Sequence, residues 1–262
     1  MPYDLPAKSS KLPRGCIVFC ATQRTGSTMI FDDFRNLLGC EPIYSERLYE
    51  EIILKKEPLA WPALWKQIEA EWPPGSVPAT KIMFRYAPQI SHHIVGLPTS
   101  QPAQPSKFVP ADFEDLALFF ADAIWVHVRR QDVFAQAVSM YLAEATQVWE
   151  DRAGGATSAS TAPPPPYDTA RMLSYLRKFF AEREQWSRFF GWYGIKPLTI
   201  DYEHAVAEYP QYMAPLLARA GLAMLPSPAP RRLFKLGTPL NETYATRLRA
   251  DARREPDLGK IV

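Results

Sequence analysis

The stretch Cys16-Ile17-Val18-Phe19-Cys20-Ala21-Thr22-Gln23-Arg24-Thr25-Gly26-Ser27-Thr28 constrains this chain more than any other. An apolar run of strand length ends abruptly in a polar turn. Met29, Ile30, Phe34, Leu37 and Leu38 then recur on one face of a predicted helix, and Gly39 stops it. Strand, loop and helix in this order place unpaired backbone N–H groups at a helix N-terminus, where the dipole is positive and an anion is welcome. Gly26 lets the backbone approach a phosphate closely. Arg24 adds a cation, and Ser27 and Thr28 add hydroxyls. A Walker loop reads G-x-x-x-x-G-K-[ST]; here Ser27 follows Gly26, and Arg24 is the loop's sole cation. The stretch therefore reads as a variant phosphate loop rather than an ATPase loop. Its plain alternative is an ordinary strand-to-helix turn with an exposed arginine.

The 262 residues are 47% apolar, enough for one large α/β domain or two small ones. The 30 basic and 28 acidic side chains leave a net charge of only +2. That balance speaks against a nucleic-acid partner, which calls for a clear basic excess, so anion affinity must be local. The first apolar run is too short for a signal sequence or a membrane span, and a cytoplasmic protein without a membrane span is expected. The three cysteines fit that. Cys16 and Cys20 lie four apart on a strand, roughly 13 Å at about 3.3 Å per residue, too far for a disulfide. No metal-ligand spacing appears among the Cys and the four His, and the adjacent His92 and His93 read as a surface pair.

Further along, the pattern predicts a helix over 59–72, where Trp61 and Trp65 read as core, and a strand over 80–84. A loop is expected over 90–110 and a short helix over 112–122 capped by Asp112. A third strand spans 124–128, apolar apart from His127, which reads as a core histidine. Residues 153–166 form a Gly/Ser/Pro-rich flexible insertion. A long helix over 167–190, a strand over 196–200, a helix over 210–220 and a final helix from Asn241 to 254 complete the series. Strands separated by helices imply an α/β fold with a central parallel sheet covered on both faces, in three layers. The whole chain, 1–262, is expected to form a single domain.

A second anion signal lies at the end of the third strand. Arg129 and Arg130 end a buried run, and two arginines there are costly to desolvate unless an anion or a neighbouring carboxylate meets them. Asp132 opens the next helix, with Ser139 two turns in. Ligands of open α/β sheets sit beyond the carboxyl ends of the strands, so two separated charged groups on one ligand would explain both signals.

The stretch from Ala21 to Thr28 resembles the Q-R-[ST]-G-S-T loop of the bacterial trehalose-2-sulfotransferase-like, or Stf0-type, family. Val128-Arg129-Arg130-Gln131-Asp132-Val133-Phe134-Ala135-Gln136-Ala137-Val138-Ser139 resembles that family's strand-end arginine followed by R-x-D-x-x-x-Q-A-V-S. Trp149 and Lys81-Ile82-Met83 also resemble family features. The resemblance runs over about 17–202. It implies a P-loop-like sulfotransferase fold and the donor 3′-phosphoadenosine-5′-phosphosulfate (PAPS), with no metal. Gln23, Arg24, Thr25, Gly26, Ser27 and Thr28 would hold the 5′-phosphosulfate, and Arg130 and Ser139 the 3′-phosphate. It further implies a carbohydrate or glycolipid acceptor and a homodimer. The family's E-P-x-E-[FY] block supplies a general base; here two extra residues follow Glu41-Pro42 before Glu46, which makes Glu46 the first candidate and Glu41 the second.

The expected chemistry is in-line transfer of a sulfuryl group to a hydroxyl, with Arg24 stabilising the leaving phosphate. Trp61, Trp65, Tyr44 and Tyr49 offer stacking surfaces for a sugar and serve equally well as packing. The rival classes are a small-molecule kinase on a variant loop and a non-catalytic nucleotide-binding domain.

Overall fold

A computed structural model describes residues 15–42, 46–97, 108–149, 151–152, 164–224, 230–234 and 239–258. Tyr44 and residues 153–163 of the insertion lie outside the described residues.

The first strand, β1 (Ile17–Ala21), is buried along its whole length. Such a run, apolar on both faces, belongs in the middle of a covered sheet. It is flanked by β2 (Ala79–Met83) and β3 (Ile124–Arg129), and β5 (Leu198–Asp201) lies outside β3, giving the order β2-β1-β3-β5. All three pairings are parallel, with Phe19 opposite Lys81 on one side and Val126 on the other. Helices flank the sheet, so the chain is α/β. From β1 the chain proceeds to one neighbour and returns to the other, so the order reverses between β1 and β3. At such a switch point the loops diverge and leave a crevice. The loops after β1 and after β3 are the two that carry the anion signals.

Helix α1 (Ser27–Leu37) follows β1 at once. The short α2 (Arg47–Tyr49) runs on into a π-helical turn, Glu50–Leu54, ahead of α3 (Trp61–Ala70). Trp61 and Trp65 are buried and stacked on each other, with Phe119 and Phe120 against them. Between β2 and β3 come α4 (Ala87–Ile94) and α5 (Glu114–Phe119). After β3, α6 (Val133–Thr146) leads to the two-residue β4 (Asp151–Arg152). The long α7 (Thr169–Trp192) precedes β5, which runs into α8 (Tyr202–Ala207) and then α9 (Ala214–Ala220). A short β6 (Leu233–Phe234) pairs antiparallel with β4, and α10 (Pro239–Ala252) closes the series. Besides the main core, α6, α7 and α10 share a second apolar cluster around Val138, Leu176 and Leu248. No helix among the described residues is long and apolar enough to cross a membrane.

The structure corrects several expectations in detail. Residues 90–94, expected as loop, belong to α4; its apolar positions Ala87 and Ile90 are buried against the core, which outweighs the local turn-like composition. His93 is buried rather than a surface residue, its Nε2 2.8 Å from the Leu59 carbonyl oxygen. Asp112 ends a 3-10 turn and caps no helix with its side chain. The last helix begins at Pro239, two residues before the predicted cap Asn241, as suits a proline with no N–H to satisfy. Cys16, Cys20 and Cys40 are all buried free thiols.

Candidate active site

The loop between β1 and α1 is held from beneath. Gln136, fully buried on α6, donates its amide to Thr22 Oγ1 at 2.8 Å and to the Gln23 carbonyl at 2.6 Å. Thr25 Oγ1 donates back to the Thr22 carbonyl at 3.0 Å, and Trp186 Nε1 donates to the Ala21 carbonyl at 3.0 Å. The bends carry positive φ: Arg24 at 63° and Gly26 at 78°. At Gly26 a side chain is excluded by space as well as by φ, since an added Cβ would lie 2.7 Å from Cε2 of Tyr202 and nearer still to Cδ2. Gly26 caps α1 without a side-chain hydrogen bond, and no acidic residue occupies the first turn. The N-terminus of α1 thus keeps the character of an anion site.

Arg24 reaches toward α6. Its Nε donates to Ser139 Oγ at 3.0 Å and its Nη1 to the Trp149 carbonyl at 2.6 Å, with the guanidinium 5.8 Å from the Trp149 ring centre. The two arginines ending β3 divide the work. Arg129 takes the structural reading and pairs with Asp201 of β5, Nε to Oδ1 at 3.1 Å and Nη2 to Oδ2 at 3.3 Å. Arg130 turns to the loop. Its Nη1 donates to the Arg24 carbonyl at 3.3 Å, and its guanidinium lies 4.8 Å from the Tyr202 ring centre. No carboxylate lies within ion-pair distance of Arg130 among the described residues, and its Nε is buried without a hydrogen-bond partner there. Burial pulls this guanidinium below its usual pKa. A half-buried cation whose covered Nε has no partner among the described residues is what a phosphate would complete.

Gln23 is gripped through its side-chain oxygen, which accepts from Lys178 Nζ at 2.8 Å and Arg85 Nη1 at 3.3 Å. With that oxygen taken by two cations, the amide NH₂ is left for the crevice that Gln23 lines. Behind it Glu182 is buried near Lys178, and burial raises its carboxyl pKa.

Gln23, Arg24, Gly26, Ser27, Thr28, Arg130 and Ser139 line one cavity of about 970 Å³, together with Glu46. Thr25 is buried beneath the loop as a brace. Glu46 Oε1 accepts from Lys81 Nζ at 2.6 Å, and the same ammonium donates to Thr28 Oγ1 at 2.8 Å. Glu41 is exposed and does not line the cavity; its backbone carbonyl instead accepts from Arg35 Nε at 3.3 Å and Nη2 at 3.1 Å. Tyr49 packs on Tyr86, ring centres 4.7 Å apart, and both face the cavity. On the far side Arg249 of α10 pairs with Asp132, whose other oxygen caps α6 by accepting from Ala135 N at 3.0 Å.

Sequence reasoning did not assign Gln136, Tyr202, Lys178 or Arg85 to the site, and gave Lys81 no role. Lys81 carried a signal: it is the one charged residue in an otherwise uncharged strand, where a cation must have a partner. Gln136, Lys178 and Tyr202 touch the loop because α6, α7 and α8 pack onto it, and Arg85 because it lies in the turn directly after β2; no local pattern announces that.

Fold and site together define an α/β protein that gathers a helix N-terminus, two arginines and a lysine at a sheet switch point, arranged for a ligand with more than one anionic group. The family model of the Stf0 sulphotransferases matches residues 77–251. The chain belongs to the Stf0 sulphotransferase family, and its class of activity is sulfotransfer. It is 23% identical over 211 residues to the trehalose 2-sulfotransferase of Mycolicibacterium smegmatis, covering 80% of this chain and 75% of that protein. It is 27% identical over 133 residues to the trehalose 2-sulfotransferase of Mycobacterium tuberculosis, covering 51% of this chain and 48% of that one. The sulfotransferase domain of the Synechococcus PCC 7002 olefin synthase aligns over 93% of this chain and 90% of its own length at 14% identity, with a TM-score of 0.44.

Proposed function

We propose that the chain, folded as a single sulfotransferase domain, moves the sulfuryl group of PAPS to a hydroxyl of a carbohydrate. The observation that carries this reading is the pairing of Arg130, a half-buried guanidinium with no carboxylate within ion-pair distance among the described residues, with the Arg24 loop in one cavity. The loop arginine and the strand-end arginine line the same cavity, which suits a nucleotide that carries both a 3′-phosphate and a 5′-phosphosulfate. The names of the two relatives support a sugar as acceptor.

In this reading the α1 N-terminus and Arg24 hold the 5′-phosphosulfate and stabilise charge that grows on the departing phosphate. Arg130 and Ser139 anchor the 3′-phosphate away from the reacting atoms, and their binding energy orients the donor. Glu46, on the cavity wall beside Thr28, takes the acceptor proton. Glu41, exposed and off that wall, is the poorer candidate. Tyr49 and Tyr86 offer an aromatic surface for the acceptor.

The test combines transfer and binding. Label from PAPS should appear on one or more members of a panel of sugars, glycolipids and simple alcohols. Adenosine 3′,5′-bisphosphate (PAP) should raise the melting temperature more than ATP with Mg²⁺. Arg130→Ala should raise the donor KM about 10–100-fold while changing kcat little, the loss expected for one charge-assisted anchor. Equal stabilisation by ATP with Mg²⁺, or no transfer to any acceptor together with no PAP binding, would sink the reading.

A further inference from the structure

Phosphate loops of the Walker kind carry a lysine directly after the last glycine. Here Ser27 occupies that position. A lysine nevertheless reaches the same place from the neighbouring strand. Lys81 lies on β2 in register with Phe19 of β1, and its Nζ donates to Thr28 Oγ1 at 2.8 Å and to Glu46 Oε1 at 2.6 Å. Lys81 is only 5% exposed, while Glu46 is 35% exposed, and both line the cavity with Arg24 and Ser27. One ammonium therefore joins the first turn of α1 to the carboxylate proposed above as the base.

We propose that Lys81 is a catalytic cation of the sulfotransfer reaction, delivered from β2 in place of the lysine absent from the loop, and that it changes partner as the reaction proceeds. The proposal rests on the PAPS reading above. In the ground state the Glu46 carboxylate neutralises Lys81. The acceptor hydroxyl then gives its proton to Glu46. The acceptor oxygen bonds to sulfur, and the bond from sulfur to the bridging phosphate oxygen breaks, its electron pair leaving with PAP. Protonation of Glu46 removes the counter-charge of Lys81 at the moment negative charge spreads over the sulfuryl and leaving oxygens. An ammonium that keeps its three protons and loses its carboxylate partner attracts those oxygens more strongly in the transition state than before it. That difference, rather than ground-state binding, is what accelerates a reaction. A lysine paired to a carboxylate that takes no part in chemistry would have no such property.

Kinetics of variants separate this role from simple anchoring of the segment that carries Glu46. The full chain is compared with Lys81→Met, Lys81→Gln, Lys81→Arg, Glu46→Gln and the double variant Lys81→Met/Glu46→Gln, measuring PAP affinity, kcat, donor KM and melting temperature. Lys81→Met should bind PAP within about twofold of the parent yet lose about 10²–10³-fold in kcat, as for removal of one preorganised donor. Lys81→Arg should recover part of that loss, and the double variant should be scarcely slower than either single one, because the two groups act as a unit. Should the Met variant not fold, Lys81→Gln, which keeps a donor toward Thr28, carries the same comparison. An unchanged kcat, a parallel loss of PAP affinity and turnover, or additive losses in the double variant would overturn the assignment. Failure of the parent chain itself to bind PAP would overturn the PAPS reading and this one with it, and it is recognised by occurring before any substitution is made.

Discussion

Arg24 Nε donates to Ser139 Oγ at 3.0 Å, so the loop arginine and the helix serine, 115 residues apart in sequence, are direct partners. Sequence reasoning had placed them at opposite ends of a nucleotide, one at the 5′ group and one at the 3′-phosphate. Their bond, with Arg130 donating to the Arg24 carbonyl, makes the two proposed anion subsites one connected unit.

Coupling between the two is the first consequence. Arg24→Ala and Ser139→Ala should each weaken PAP binding, and Arg24→Ala should also cost about 10²–10³-fold in kcat as a lost transition-state donor. The double variant should bind PAP more tightly than the sum of the two losses predicts, with a coupling of about 0.5–3 kcal/mol for residues sharing one hydrogen bond. Titration calorimetry on the four proteins of the cycle measures it; strict additivity would show that the bond does not persist in solution.

Gly26 is fixed both by its φ of 78° and by the Tyr202 ring that lies against it. Gly26→Ala should therefore lower stability by about 1–3 kcal/mol from backbone strain alone and distort the loop enough to abolish PAP binding. Gly26→Ala combined with Tyr202→Ala relieves the clash but not the φ, so denaturant unfolding should show only a partial recovery. A fully restored double variant would mean that the ring, not the backbone, sets the requirement.

His127 gives the chain an acid-sensitive core residue. It is 7% exposed and packs 5.2 Å from the Phe190 ring centre. Burial, helped by Arg129 and Arg183, lowers its pKa from 6.5 to about 4. Between those values the unfolded chain binds the proton and the folded chain does not, so stability is complete above pH 6.5 and drains away as pH falls toward 4. The shift corresponds to about 3 kcal/mol at the acid end. Denaturant melts of the parent and His127→Phe across pH 4–7 should show a shallower pH slope in the variant; parallel slopes would refute the assignment.

The segment around residue 231 is tied to α1 by a buried pair. Arg231 Nη2 lies 2.8 Å from Asp33 Oδ2, Tyr212 Oη donates to the same oxygen at 2.5 Å, and Asp33 is 1% exposed. Burial nevertheless outweighs these partners and pushes the Asp33 carboxyl up to about 6. Arg231→Met leaves that carboxylate without its cation and should cost about 3–5 kcal/mol at neutral pH, whereas Asp33→Asn/Arg231→Met should recover much of the loss. Equal melting temperatures for the single and double variants would remove the pair from the account.

How much of this was legible beforehand follows from the range of each interaction. The five buried residues of β1, the turn at Gly26 and the apolar face of α1 are local signals, and the strand–loop–helix reading rests on them alone. The same holds for Asp132, whose cap on α6 depends on a residue three positions away. Helix α4 was missed because its first turn carries a proline and its stability comes from packing against the core rather than from propensity. The two adjacent arginines could not be told apart in sequence. The pairing of β3 with β5 decided it, setting Arg129 in register with Asp201 and leaving Arg130 beyond the strand to face the loop.

The sequence by itself determined an α/β chain with a phosphate-type loop bearing an arginine and a second cation group at another strand end, because each of the two signals is contained within a few consecutive residues of the backbone. Only the tertiary structure decided which groups meet. The order β2-β1-β3-β5 sets two strands beside β1, so one delivers Arg130 and Ser139 and the other delivers Lys81 to the same helix end. Strand order is a property of the packed sheet, fixed by burial on both faces and by parallel pairing across 60 or more residues, and no local pattern carries it.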